Sequence, residues 1–175
     1  MHRRCGAGWR GTGLGKLKAP VSVVRQELNC ERCFVDASIL LCCENGADAT
    51  KQITALAWLK VLWQGRTGRT STQVLNEFYL QATQASLPPM PAGDARAEVR
   101  RYAMWQPWAT DNATLESAWA VQSRYELAYR DCLVIAAAQH LGCKYLLSER
   151  MGHEQHYDAV QVINPFKSPI SLLSD

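Results

Sequence analysis

Apolar residues in this chain fall into short continuous blocks separated by amphipathic stretches. Residues 33–41 (Cys-Phe-Val-Asp-Ala-Ser-Ile-Leu-Leu) read as a short buried strand that ends at an acidic residue. Over 48–62, Ile53, Leu56, Leu59 and Trp63 share one stripe and predict an amphipathic helix, closed by Gly65 to Gly68. A brief extended piece at 69–72 leads into a second helix over 73–82, and the proline cluster at 87–91 breaks the chain. Helices are predicted over 94–104 and 115–125, joined through Trp105-Gln-Pro-Trp108. The most apolar helix covers 130–141 and is stopped by Gly142. Residues 143–148 predict a strand, and 160–164 another, ended by Pro165. Strands alternating with helices predict an α/β fold with a mostly parallel sheet. Active residues are then expected at the strands' carboxyl ends.

Composition narrows this picture. A chain of 175 residues has room for one ordinary domain. Its longest apolar run, 132–138, is far short of the roughly 20 residues that span a bilayer, so no membrane role is expected. The net charge of +3 hides an asymmetry: residues 1–32 carry seven Lys/Arg against two Glu, and 33–175 carry twelve against fourteen acids. Three parts follow: a basic, Gly-rich, poorly ordered extension over 1–32, a domain over 33–166, and a tail over 167–175.

The extension carries two near-motifs, and both fail. Gly6-Ala-Gly8-Trp-Arg-Gly11 has no strand before it, and the residues ending in Gly15-Lys16 lack the first Gly and final Ser/Thr of a phosphate loop. A secretory signal is not expected either, since Arg3-Arg4 is followed by Gly-rich rather than apolar sequence. Seven cysteines, an odd number, fit reduced buried thiols and a cytoplasmic setting better than a disulfide framework. Cys30-Glu-Arg-Cys33 lacks a second ligand pair at zinc spacing and is incidental.

The candidate chemistry lies in the acids. Asp36 ends the first strand, Glu77 sits one turn inside the helix after the second extended piece, and Asp131 starts the most apolar helix. Each is set in apolar sequence, and no Lys or Arg stands within a helical turn of Glu77. Taken singly, Asp131 is explained as a helix cap, Glu77 as a solvated helix residue and Asp36 as a turn residue. Taken together, three acids at one sheet edge would repel one another, and a hard cation such as Mg²⁺ or Mn²⁺ would relieve that. Metal-bound water attacking a phosphodiester is the chemistry such a site supports.

Four blocks in order, Phe34-Val-Asp36-Ala-Ser38-Ile-Leu, Ser71-Thr-Gln-Val-Leu-Asn-Glu77-Phe, Tyr129-Arg-Asp131-Cys-Leu-Val-Ile-Ala-Ala-Ala and Leu146-Leu-Ser148-Glu149, resemble the successive motifs of a PIN domain. The nearest subgroup is the VapC-type toxins of toxin–antitoxin pairs. This resemblance implies a three-layer α/β/α sandwich and a Mg²⁺- or Mn²⁺-dependent endoribonuclease. It also implies an RNA substrate, inhibition by a cognate antitoxin, and a homodimer. Carried over, Asp36, Glu77 and Asp131 become metal-binding acids, with Ser38, Asn76 and Ser148 as polar neighbours.

The sequence departs from the family pattern where the fourth acid is usual, because Arg150 stands there. Glu149 is the adjacent substitute ligand. Arg150 is expected to contact a substrate phosphate or to replace the charge of a second metal. Position 130, Arg in place of the common aromatic, departs as well. A second class of function follows from Arg150: a PIN-like module with a degenerate metal site that binds RNA or an antitoxin without cutting. His153 and His156 are read as solvated loop residues, and Trp105 and Trp108 as loop packing or base-stacking residues.

Overall fold

Cys33, Phe34 and Val35 are wholly buried and form β1 (Cys33–Val35), the strand from which the sheet is laid out. The computed structural model describes residues 31–44, 46, 48–86 and 88–173. Cys30 and nearly all of the expected extension lie outside the described residues. Elements then follow as α1 (Ala37–Glu44), α2 (Ala49–Gly65), β2 (Gly68–Arg69), α3 (Thr72–Gln84), α4 (Ala92–Ala103), α5 (Asn112–Tyr125), α6 (Tyr129–His140), β3 (Tyr145–Leu147), β4 (His156–Tyr157) and β5 (Val160–Ile163). The strands form one sheet in the order β2-β1-β3-β5-β4. All pairings are parallel except β4 against β5. With α1 packed on α2 and α3, α3 on α4, and α5 on α6, the architecture is a three-layer α/β/α sandwich.

Several local expectations are corrected. The apolar block over 33–41 is not one strand, because the chain turns at Asp36 and continues as α1. Ala37, Ile39 and Leu40 are buried there, and a short apolar run buried on most sides has no period that separates strand from helix. In α2 the buried stripe is Ala55, Trp58, Leu59 and Leu62. Ile53 and Leu56, expected on the core stripe, are 68% and 43% exposed. Trp58 contributes the largest buried volume on the helix, and its face sets the rotation.

Arg66, in the left-handed conformation at φ 56°, ends α2 and donates its backbone N–H to Leu62 and Trp63. Gly68 is needed for another reason: a Cβ there would lie 2.5 Å from the Trp105 ring. Trp105 is buried against Trp63 and Tyr102, and Trp108 stacks on His140 while donating Nε1–H to Thr114. These tryptophans are therefore loop packing. Gly142, at φ 61°, follows α6 as the pattern predicts.

His156 belongs to β4, a short strand that the sequence pattern leaves as loop. Within the segment beyond 166, a 3₁₀ turn over Ile170–Leu173 packs against α2 with Leu173 buried. At the other end Arg32 is already docked, donating from Nη1 to the Leu141 carbonyl. No helix among the described residues is long and apolar enough to cross a membrane.

Candidate active site

The chain order places β2 on one side of β1 and β3 on the other, so the strand order switches direction between β1 and β3. In open parallel sheets the crevice outside the carboxyl ends of such a strand pair is where ligands bind. Asp36 follows the last residue of β1, and Ser148 follows the last residue of β3. Both are buried, with Asp36 only 2% exposed.

A buried carboxylate is costly unless it is hydrogen-bonded, and Asp36 is held by three donors. Its Oδ1 accepts from the Ala37 N–H at 2.8 Å. Its Oδ2 accepts from Ser38 Oγ at 2.8 Å and Ser148 Oγ at 3.0 Å. Its carbonyl receives the first N–H groups of α1, so the carboxylate also sits at the positive end of a helix. Among the described residues Asp36 forms no ion pair.

Glu77 reaches the same crevice from α3, which starts after β2 with Ser71 as its cap. The carboxylate of Asp36 lies close enough to disfavour the charge on Glu77. Burial pushes the Glu77 carboxyl above the ordinary carboxylate range; Arg130 pulls against it, and Asp36 adds to the rise. Three donors meet at Glu77 Oε1: Gln81 Nε2 at 2.6 Å, Arg130 Nη1 at 2.7 Å and Arg150 Nη1 at 3.1 Å. The expectation of an uncompensated Glu77 is thus corrected. Its counter-charges come from the start of α6 and the loop after β3, far from it in sequence.

Asp131 lies in the first turn of α6 but does not cap it; Ala128 is the N-cap residue and makes no side-chain cap bond. The described contacts connect Asp131 to Glu77 through Arg130, whose Nε lies 3.7 Å from Asp131 Oδ1. Glu149 is engaged elsewhere, with Lys51 Nζ 2.6 Å from Oε2 and Cys42 Sγ 3.6 Å from Oε1. Burial and Glu149 push the Cys42 thiol up to about 11, so it stays protonated and donates. Asn76 is exposed on α3 and takes no part in the described contacts of the crevice. His153 accepts the Asn164 N–H at Nδ1 and belongs to the loop beneath β5.

As it stands, Glu77 Oε1 is not free to share a cation with the other acids. Among the described residues no group of three or more His, Cys, Asp or Glu side chains is placed to hold a metal ion. Glu77 Oε1 already accepts from two guanidiniums and the Gln81 amide.

A buried Asp after the first strand, an acid on the third helix and an acid starting the helix before β3 appear here in that order, and Asp36 and Glu77 lie close together. A family model of the PIN domain matches residues 33–150. The chain belongs to the PIN-domain family. The match runs from β1 to Arg150 and so spans Asp36, Glu77, Asp131 and Ser148. Among solved structures, this PIN domain resembles VapC20 of Mycobacterium tuberculosis, a sarcin-ricin loop cleaving toxin. The TM-score is 0.52 at 24% identity, over 65% of this chain and 86% of that chain, which supports a common fold. No curated protein sequence matches the chain.

One residue of the crevice that sequence reasoning misses is Arg130. Its departure from the family pattern is visible, but nothing near it in sequence shows that it meets Glu77. Gln81 was also missed; its spacing of four from Glu77 on one helix was the available signal.

Proposed function

We propose that this PIN domain is an endoribonuclease, the toxin of a toxin–antitoxin pair, working in the cytoplasm at the crevice of Asp36, Glu77 and Asp131. The observation that carries the reading is Asp36, a buried carboxylate fixed by Ser38 and Ser148 at the switch point of a PIN-domain sheet. Hydrolysis of a phosphodiester needs a water directed at phosphorus and donors for the charge that builds on the phosphate oxygens. Carboxylates serve the first need and guanidiniums the second. PIN nucleases generally use divalent metals, and Mg²⁺ or Mn²⁺ is the ion of this reading. With Glu77 already engaged, no step is assigned to it.

The fold shared with a sarcin-ricin loop cleaving toxin supports structured RNA as the substrate class. Exposed apolar side chains at Ile53, Leu56 and Trp119 support surfaces that meet protein, a cognate antitoxin or the second copy of a homodimer.

The test is incubation with a structured RNA in Mg²⁺, Mn²⁺ or EDTA, beside a folded Asp36→Asn, Asp131→Asn double variant. Metal-dependent cleavage that the variant lacks is the expected result. Wild-type protein that binds RNA but cuts it under none of these conditions overturns the reading. That outcome favours the second one, a PIN module that binds RNA or an antitoxin without cleavage. The two arginines on Glu77 are the observation in its favour.

A further inference from the structure

Arg130 and Arg150 share one oxygen of Glu77, yet their surroundings differ. Arg130 is the closer, and it also stands beside Asp131. Its Nε and Nη2 are buried and, among the described residues, make no hydrogen bond. Burying guanidinium donors that make no hydrogen bond is costly. The charge is therefore retained for the acids around it rather than for a full set of bonds. Arg150 is 43% exposed at its side chain and lines an open groove of about 320 Å³ that runs past Ser38 and Gln81 to Lys51. Its bond to Glu77 is the longer of the two and is open to solvent, so exchange for another anion costs it little. The groove also holds the Lys51–Glu149 pair, whose lysine is 44% exposed.

We propose that the two arginines divide the work of the crevice: Arg130 is a built-in counter-ion in the position a divalent cation would take beside Glu77, and Arg150 leaves Glu77 to bind a backbone phosphate of RNA in the groove. The proposal rests on the endoribonuclease reading for its ligand. Arg130 is a positioning residue, and Arg150 is the residue that touches substrate. A guanidinium fits a phosphate through paired N–H donors, which a lysine at position 150 would not reproduce.

Two binding measurements test it without reference to turnover. Mn²⁺ alone is titrated by calorimetry into the wild type, Arg130→Gln, Arg130→Met and Arg130→Lys. The neutral variants are expected to bind Mn²⁺ at least about tenfold more tightly than the wild type, because the competing charge is gone; Arg130→Lys stays near the wild type. A structured RNA is then titrated in EDTA into the wild type and Arg150→Gln. The variant is expected to lose about tenfold in affinity, with the slope of log affinity against log salt shallower by about 0.7 to 0.9, one phosphate contact.

Unchanged Mn²⁺ affinity in both neutral variants, with melting curves showing them folded, overturns the counter-ion. Unchanged RNA affinity and salt slope in Arg150→Gln overturns the phosphate contact, and the exposure of Arg150 makes loss of folding there a minor concern. If these shifts occur while the wild type cuts no RNA, the arginine roles stand and the endoribonuclease reading fails. If the wild type cuts RNA and neither shift occurs, the reverse holds.

Discussion

Ser148 Oγ donates to Asp36 Oδ2 at 3.0 Å, tying the end of β3 to the end of β1 across 112 residues of chain. The bond does two things at once. It satisfies a buried carboxylate, and it fixes the crevice between the two strands whose carboxyl ends define the site. Ser148 Oγ also accepts the Arg150 N–H at 3.2 Å, so the same hydroxyl sets the start of the loop that carries Arg150 to Glu77.

Ser148→Ala should therefore weaken the fold as well as the site. A hydrogen bond to a buried charged group is worth about 1–3 kcal/mol, and urea unfolding at neutral pH should show a loss in that range. Ser38→Ala removes the other hydroxyl on the same oxygen. The double variant should lose more than the sum of the singles, since Oδ2 then has neither hydroxyl donor. Strict additivity would mean that water replaces both hydroxyls at no cost.

Glu77 gives the fold a pH dependence of known sign. Its folded-state pKa lies above the ordinary value of 4.5, with burial as the main cause. The folded protein thus holds this proton more tightly than the unfolded chain, and Glu77's contribution to stability falls as pH rises from about 4.5 through the folded value. Arg130 is the strongest influence in the other direction. Arg130→Gln should accordingly destabilise the protein more at pH 7 than at pH 4.5, measured by urea unfolding at both. A difference from wild type that is the same at the two pH values would show that Glu77 does not depend on Arg130 for its charge.

At the sheet edge, Gly68→Ala tests packing alone. The added methyl would fall 2.5 Å from the Trp105 ring, which is locked between Trp63 and Tyr102. Overpacking of this kind costs about 1–3 kcal/mol. A lowered melting temperature with unchanged RNA affinity is expected, because none of these residues faces the acidic crevice.

Part of the candidate site is legible from residues alone, and the reasons are local. Asp36 shows because an acid interrupts an apolar run, and only a partnered carboxylate survives there. Ser38 and Ser148 show through the motif that holds them. The charge state of Glu77 does not show, because Arg130 and Arg150 approach it only when α6 and the loop after β3 fold against α3. Glu149 was a reasonable substitute ligand by position, but Lys51 on α2 takes its carboxylate, and that pairing again spans the fold. On the larger scale, the alternation of elements gave away the parallel sheet, whereas the two-residue β4 was too short to leave a period. The α1 segment failed for the related reason that burial on most sides erases the helical repeat.

The crevice at Asp36 is proposed to cut RNA internally. A structured RNA closed into a circle has no ends, so only an endonuclease changes its mobility. It should be incubated with Mg²⁺ or Mn²⁺ and either the wild type or folded Asp36→Asn. The wild type is expected to linearise the circle, with Asp36→Asn slower by at least about 100-fold, as for loss of a central electrostatic group in an active site. A circle left intact by the wild type, or opened equally fast by both proteins, would contradict the account.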